Sequence, residues 1–283
     1  MHTDRMLWHS ICGRKLQPKV NSITFMAEYR RNKIRTAWHM VKGIENWPTA
    51  MGMRLRRKNP RLRLLAFRNG LNIACRGGTR DWDVVHELYF AGSYGRAMNF
   101  LKNLPGEPLV FDLGGNIGLF SLLAALTHPS ARIHAYEPGP PNYQVFEMNC
   151  LANPSLARRI HLHKEAVGGQ TRVADWFFDE FNPGGSGMFG SSGLKYQVQI
   201  RAFAEIISSM TSDIALAKID IEGAEYEILT SIPPEFWQRI QAISLELHSD
   251  PAGKISPARF MEQMKQFGFK IEQESVITYF LHR

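Results

Sequence analysis

Val110-Phe111-Asp112-Leu113-Gly114-Gly115-Asn116-Ile117-Gly118 is the stretch of the sequence that decides the fold. It starts inside a short apolar run, Leu109–Leu113, passes through a glycine-rich turn and leads into an apolar segment at Ile117–Leu126. A short apolar run bounded by glycines is typical of a buried strand, and the longer segment after it favours a helix. The stretch therefore predicts a strand, a turn and a helix, which is the repeating unit of an α/β fold.

The rest of the chain continues this alternation. Strands are predicted at 131–136, 160–167, 214–221, 242–247, 269–272 and 276–281, and helices at 142–151, 224–230 and 257–267. Strands that alternate with helices predict right-handed crossovers and a mostly parallel, doubly wound sheet. The tight connection between the last two strands predicts an antiparallel edge. Residues 182–193, rich in glycine and serine, predict a flexible loop at the mouth of the expected pocket.

The glycine-rich turn has carboxylates on both sides of it. Asp112 lies at the end of the first strand, where it can accept a hydrogen bond from an ammonium group or an ordered water. Gly114 and Gly118 allow the backbone to approach a ligand closely. Glu137 closes the second strand, where a carboxylate suits two ribose hydroxyls. The glycine spacing differs from the dinucleotide fingerprint G-x-G-x-x-G, which disfavours a nicotinamide oxidoreductase.

Three blocks of the sequence resemble the FkbM-type S-adenosylmethionine (SAM)-dependent methyltransferases. They are Asp112–Gly118, Glu137-Pro138 and Lys218–Glu225, and weaker likeness extends to Glu147–Asn153, Glu165–Gly168 and Glu246–His248. The resemblance runs from about Leu62 to the C-terminus. It implies a seven-stranded, Rossmann-like class I methyltransferase sheet, SAM as the cofactor, and transfer of a methyl group to a hydroxyl of a sugar, glycan or natural product.

The same resemblance implies a set of cofactor-binding residues. They are Asp112, Gly114, Asn116, Gly118, Glu137, Glu165, Ala166 and Asp220. One departure is clear, because Phe203-Ala204 stand where many members of the family have a Leu-Asp pair. Any role of that aspartate is therefore in doubt for this chain.

The reacting groups are expected at the ends of the fourth and fifth strands. Strand alternation places Lys218, Asp220 and Glu222 on one side, and three ionisable groups that end an apolar strand are unfavourable unless paired or functional. Asp220 is the first choice for orienting or deprotonating the acceptor. His248 titrates near neutrality and is a candidate general base. Asp220, Glu222 and Glu246 could also surround a divalent cation, but we predict that no metal is required.

Charge divides the chain unevenly. Residues 1–80 carry 18 Lys and Arg against three acidic residues, a net charge of +15, whereas the remainder carries 16 basic and 23 acidic residues, a net of −7. We interpret 1–60 as a basic, partly helical extension, 61–107 as a hairpin and helical cover, and 108–283 as the SAM-binding domain. The basic residues indicate an anionic partner, or equally a solvated arm without a specific ligand.

Two other functions remain open at this point. An RNA methyltransferase would use the basic region to bind phosphates, although residues 1–80 contain no recognisable RNA-binding module. A non-catalytic scaffold would need neither the Asp112–Gly118 turn nor the charged strand end. Three widely spaced cysteines, and the absence of a long apolar run or a signal-like N-terminus, predict a cytoplasmic protein with reduced thiols. The acceptor and the oligomeric state are not determined by the sequence.

Overall fold

The apolar run before the glycine-rich turn forms the central part of a seven-stranded sheet. A computed structural model describes residues 37–55, 61–180, 182–188 and 193–283. The strands in these ranges are β1 (Leu62–Ala66), β2 (Asn72–Arg76), β3 (Leu109–Leu113), β4 (Arg132–Tyr136), β5 (Ile160–His163), β6 (Ala166–Gly168), β7 (Arg172–Phe178), β8 (Leu194–Ala202), β9 (Ile214–Ile219), β10 (Ile240–Glu246), β11 (Lys270–Gln273) and β12 (Thr278–His282).

Helices cover both faces of this sheet. They are α1 (Trp47–Leu55), α2 (Asp81–Val85), α3 (Gly95–Lys102), α4 (Leu119–Thr127), α5 (Pro140–Ala152), α6 (Pro154–Ala157), α7 (Phe203–Ser209), α8 (Glu225–Ser231), α9 (Pro234–Trp237) and α10 (Pro257–Gln266). Residues 37–43 are also helical. A π-helical turn, His86–Ala91, continues α2. No helix in the described ranges is both long enough and apolar enough to cross a membrane.

The strand order of the large sheet is β11-β12-β10-β9-β3-β4-β5. The strands from β10 to β5 run parallel, and β12 lies antiparallel to both β10 and β11. Every residue of β3 and β9 is buried, as expected for parallel strands covered by helices on both faces. The structure thus confirms the predicted α/β, doubly wound, seven-stranded and mostly parallel sheet with an antiparallel edge.

A small three-stranded sheet was not anticipated from the sequence. Its order is β6-β8-β7, and it lies in the connection between β5 and β9. The single strand predicted at 160–167 was wrong, because β5 ends at His163 and β6 pairs with β8 instead. Of the predicted loop 182–193, the described residues 182–188 hold a 3₁₀ turn, and Gly187 forms a β-bridge with Phe177; residues 189–192 lie outside the described residues.

The β1–β2 hairpin and the residues before it pack against the α/β domain. Met40 and Ile44 share a buried cluster with Phe67, Ile117 and Val145. The domain boundaries 1–60, 61–107 and 108–283 stay a prediction, although this cluster joins residues from all three ranges. Residues 1–36 and 56–60, which carry much of the positive charge, lie outside the described residues.

Three histidine side chains lie close together on β4 and β5. His134 stacks on His161 at 4.9 Å between ring centroids, and its Nδ1 lies 3.2 Å from His163 Nε2. Burial, followed by the charges of the other two rings, lowers the pKa of His134 to about 4. The folded state therefore favours neutral His134, so its contribution to stability is present above the unfolded pKa of about 6.5 and is lost as the pH falls towards 4.

We expect His134→Gln to remove this pH dependence. Between pH 6.5 and 4, the free energy of unfolding of the wild type should fall by about 1–2 kcal/mol relative to the variant, after allowance for partial exposure. Urea unfolding of both proteins at several pH values measures the difference. Parallel curves for the two proteins would contradict the assignment.

Candidate active site

A cavity of about 350 Å³ opens at the carboxyl ends of β3, β4, β9 and β10. In a parallel sheet these ends meet at one edge, which is where ligands bind in open α/β folds. The cavity brings together six of the residues predicted from the sequence: Gly114, Asn116, Glu137, Lys218, Asp220 and Glu222. The α2 helix, the π-helical turn and β7 of the small sheet form its other walls, through Asp83, Glu87 and Trp176.

The two predicted glycines are required by packing inside the protein. Gly114 has φ +84°, and a Cβ there would stand less than 3.0 Å from the carbonyl oxygen of Asp220. Gly118 has φ +85°, and its Cβ would meet the ring of Phe146 at a similarly short distance. Only glycine adopts this backbone region without strain. The sequence suggested that positions 114 and 118 are glycine so that the backbone can approach a ligand. In the structure, these positions require glycine because the backbone lies close to Asp220 and Phe146.

Asn116 and Glu137 form the end of the cavity next to the glycine-rich turn. The backbone N–H of Asn116 donates to Glu137 Oε2 at 2.8 Å, and that of Gly139 donates to Oε1 at 2.8 Å. Burial raises the pKa of the Glu137 carboxyl to about 7, although these backbone donors oppose the rise. The side-chain Oδ1 of Asn116 is buried and has no hydrogen-bond partner among the residues that the structure describes. This end therefore holds acceptors that suit a ligand with hydroxyl groups.

Asp112 lies behind the cavity, in contrast to the direct ligand contact expected from the sequence. It is fully buried and accepts a hydrogen bond from Ser121 Oγ at 2.7 Å. Asp112 and Lys218 are neighbours across the β3–β9 pair, and their charged groups are 3.6 Å apart. Asp112 thus holds Lys218 in place rather than lining the cavity.

Lys218 is the buried cation of the site. Its Nζ donates to the carbonyl of Gly114 at 2.6 Å and lies 3.1 Å from Asp220 Oδ2. Burial by itself lowers the pKa of this ammonium, but Asp220 and Asp112 outweigh burial and raise the pKa above its usual range. Lys218 is therefore charged and fully paired, so it ties the glycine-rich turn to the end of β9 and orients Asp220.

We expect Asp112→Ala to destabilise the fold strongly. Removal of one member of a buried ion pair leaves a buried charge without its partner, and the free energy of unfolding should fall by about 3–4 kcal/mol. Asp213→Ala is the matched control, because Asp213 pairs with Arg239 at 3.2 Å but its side chain is 62% exposed. That variant should lose less than about 1 kcal/mol. Urea denaturation measures both, and equal losses would contradict a structural role of Asp112.

The opposite end of the cavity is acidic. Asp220, Glu222 and Glu246 line it, and His248 lies directly behind them. His248 Nδ1 is 3.1 Å from Glu225 Oε1, and His248 Nε2 is 3.4 Å from Glu222 Oε2. Burial raises the pKa values of Glu222 and Glu246 to about 7.

His248 differs from its carboxylate neighbours in protonation. Burial alone would lower its pKa, but the hydrogen bond to Glu225 and the charge of Glu222 together raise the pKa to about 9. The imidazole is therefore protonated at neutral pH. Glu222 also has a positive φ of 54°, a conformation that is uncommon outside glycine and is found often at functional sites.

Oxygen and nitrogen atoms at this end are close enough to surround a cation. Ligand atoms of Asp220, Glu246 and His248 lie within 4.8 Å of one another. Such groups of acidic side chains are also common without a metal. That no metal is needed stays a prediction, and EDTA inactivation followed by recovery with Mg²⁺ would contradict it.

Four of the predicted cofactor residues are not part of the cavity lining, namely Asp112, Gly118, Glu165 and Ala166. Glu165 precedes β6 and lies 3.7 Å from Arg201, and Ala166 is buried in the core of the small sheet. Sequence reasoning missed Asn142 and Trp176 as lining residues. The alternating apolar side chains of β7 could have revealed the strand that carries Trp176. No local signal shows that this strand reaches the end of β4.

Comparison with known proteins gives the same family as the motifs. The family model of the Methyltransferase FkbM domain matches residues 112–271. Methyltransferase sdnD of Sordaria araneosa is 27% identical over 186 residues, which cover 54% of this chain and 71% of that protein. The 31-O-demethyl-FK506 methyltransferase FkbM of Streptomyces tacrolimicus is 25% identical over 173 residues, which cover 51% of this chain and 66% of that protein.

Among solved structures, the methyltransferase FkbM of Methylobacillus flagellatus KT matches 91% of this chain and 60% of its own, with 13% identity and a TM-score of 0.45. The family model itself spans more than half of the chain, and it includes the glycine-rich turn, Glu137 and the acidic cluster. The chain therefore belongs to the FkbM methyltransferase family and is a methyltransferase.

Proposed function

We propose that this methyltransferase binds SAM in the cavity and transfers its methyl group to a hydroxyl of a sugar, a glycan or a natural-product small molecule. The single observation that carries the proposal is the division of one cavity into two chemically different ends. Glu137 and Asn116 line the cavity near the end of β4, and Asp220, Glu222 and Glu246 line it at the ends of β9 and β10.

The residues present fit an adenosyl cofactor. Glu137 and the unpartnered Oδ1 of Asn116 offer acceptors to ribose hydroxyls. The carboxylates at the acidic end suit the positive charge of a sulfonium and an amino group. SAM would supply a methyl group that is activated for attack by a nucleophile.

The proposed acceptor class rests on the chemistry of the acidic end and on a relative. A hydroxyl must lose its proton as the new O–C bond forms and the S–C bond breaks, which requires a base near the methyl group. The name of the Streptomyces tacrolimicus relative describes methylation at an oxygen of a natural product. Both support O-methylation here.

Glu222 is the proposed proton acceptor. Its pKa of about 7 matches a general base that works near neutral pH, whereas His248, with a pKa of about 9, is already protonated there. Asp220 is held by Lys218 and is proposed to orient the acceptor hydroxyl. Protonated His248 is proposed to stabilise the charge of Glu222.

Calorimetric titration tests the proposed cofactor. We expect micromolar binding of SAM and S-adenosylhomocysteine and no binding of NAD. Glu137→Gln should weaken the adenosyl ligands at least tenfold, because a neutral amide is a poorer acceptor than a carboxylate. Glu147→Gln, at an exposed position of α5, is the control and should bind like the wild type. Folded wild-type protein that binds neither adenosyl ligand would overturn the proposal.

A second candidate substrate is RNA, favoured by the net charge of +15 over residues 1–80. Lysines and arginines that neutralise phosphates make binding fall steeply with salt. RNA binding that weakens by orders of magnitude between 50 and 200 mM salt would support this alternative and an anionic partner for the basic residues.

A further inference from the structure

Trp176 presents a hydrogen-bond donor to the cavity that no residue in the described part of the chain uses. Trp176 is 7% exposed and lines the cavity, and its indole Nε1 has no hydrogen-bond partner among residues 37–55, 61–180, 182–188 and 193–283. An indole N–H can only donate. Buried polar groups are nearly always paired in native proteins, so an unpaired donor at the wall of a binding cavity indicates a ligand that accepts.

The position of this donor is defined by Gly139, at the start of α5. A Cβ on Gly139 would stand 2.8 Å from Glu137 Oε1 and 3.4 Å from Trp176 Nε1. The indole Nε1 and the Glu137 carboxylate therefore lie close to each other, next to Gly139. The unpaired Oδ1 of Asn116 belongs to the same end of the cavity, because the backbone of Asn116 donates to the other oxygen of Glu137.

The strand that carries Trp176 is held firmly against this end. Phe177 exchanges two backbone hydrogen bonds with Gly187, at 3.0 and 3.1 Å. The side-chain amide of Asn142, in α5, donates to the carbonyl of Pro183 at 3.0 Å. The small sheet is thus fixed to the helix that follows β4, and the indole is part of a preformed wall.

A donor, a carboxylate and an amide oxygen together match one kind of group. A hydroxyl both donates and accepts, so it can bond to Glu137 or Asn116 while it accepts from the indole. We propose that Trp176 is a binding residue that recognises a hydroxyl of a vicinal diol, the ribose of the adenosyl cofactor, together with Glu137. This inference rests on the proposed function, and the same chemistry would also fit a sugar acceptor.

Calorimetry with S-adenosylhomocysteine as the probe tests the assignment. We expect Trp176→Phe to weaken binding about tenfold, the usual consequence of one lost hydrogen bond. Trp237→Phe is the matched control, because Trp237 is also buried with an unpaired Nε1 but lies away from the cavity lining. The Trp237→Phe variant should bind S-adenosylhomocysteine with the same affinity as the wild type.

The 2′-deoxy and 3′-deoxy analogues of S-adenosylhomocysteine separate recognition from packing. One of the two analogues should bind the wild type more weakly than S-adenosylhomocysteine does. The affinity of that analogue should not fall further in the Trp176→Phe variant. Equal losses for the parent ligand and both analogues would show a packing effect and overturn the assignment. Replacement of Trp176 by its benzothiophene analogue, which keeps the ring shape and removes only the N–H, should reproduce the loss if the phenylalanine variant unfolds.

The remaining outcomes are distinct. Trp176→Phe that binds S-adenosylhomocysteine as tightly as the wild type would overturn this assignment alone. Wild-type protein without affinity for the ligand would overturn the proposed cofactor and this site together. If the adenosyl ligands bind unchanged but a hydroxylated acceptor loses affinity in the variant, the diol belongs to the acceptor and the ribose assignment is wrong.

Discussion

Gly114→Ala is expected to abolish cofactor binding and to lower the free energy of unfolding by about 4 kcal/mol. A methyl group at this position would stand less than 3.0 Å from the carbonyl oxygen of Asp220, which is backbone and cannot rotate away. Because Lys218 donates to the carbonyl of Gly114, any shift of the glycine-rich turn also moves the charged end of β9. The substitution should therefore distort the cavity and displace its charged groups at the same time. The affinity for S-adenosylhomocysteine should fall more than hundredfold.

Gly70→Ala separates the two causes of this effect. Gly70 has φ +86°, almost the value of Gly114, but a Cβ there would meet nothing within 4 Å. The control therefore experiences the backbone strain alone, about 1–2 kcal/mol. Urea unfolding and calorimetry of both variants measure stability and binding. If the two variants lose the same stability, contact with Asp220 does not explain why position 114 is glycine.

Glu222→Gln is expected to lower kcat for methyl transfer by two to four orders of magnitude. A glutamine cannot accept the proton of the acceptor hydroxyl, and general base catalysis contributes about 10²- to 10⁴-fold. The base must be ionised, so the wild-type rate should rise tenfold per pH unit below a pKa of about 7 and level off above it. The variant should lack this dependence.

Production of S-adenosylhomocysteine from SAM, with a hydroxylated acceptor found by screening, measures the rate. Glu262→Gln is the control, because that side chain is 61% exposed on α10, and its rate should match the wild type. Glu246 has a similar pKa of about 7 and lines the same end of the cavity. A larger loss of kcat in Glu246→Gln than in Glu222→Gln would reassign the base to Glu246.

The sheet and the position of the site were predictable because they depend on local patterns. Apolar runs such as Leu109–Leu113 must be buried, and the glycine-rich turn after this run must reverse the chain into a helix. Parallel strands bring their carboxyl ends to one edge, which places the residues that end these strands, such as Glu137, Asp220 and Glu246, at the same edge of the sheet.

The sequence by itself therefore determined the fold class, the family and the edge of the sheet at which the candidate active site lies. Tertiary structure alone decided which side chains reach the cavity. Asp112 turned inward because its neighbour across the β3–β9 pair is Lys218, and a buried cation requires a counter-charge.

Trp176 became part of the cavity because β7 belongs to a separate sheet that α5 holds against the end of β4. Contacts between residues far apart in the chain depend on how the elements pack. The spacing of hydrophobic residues specifies each strand and helix. It carries no information about which strands and helices pack against each other.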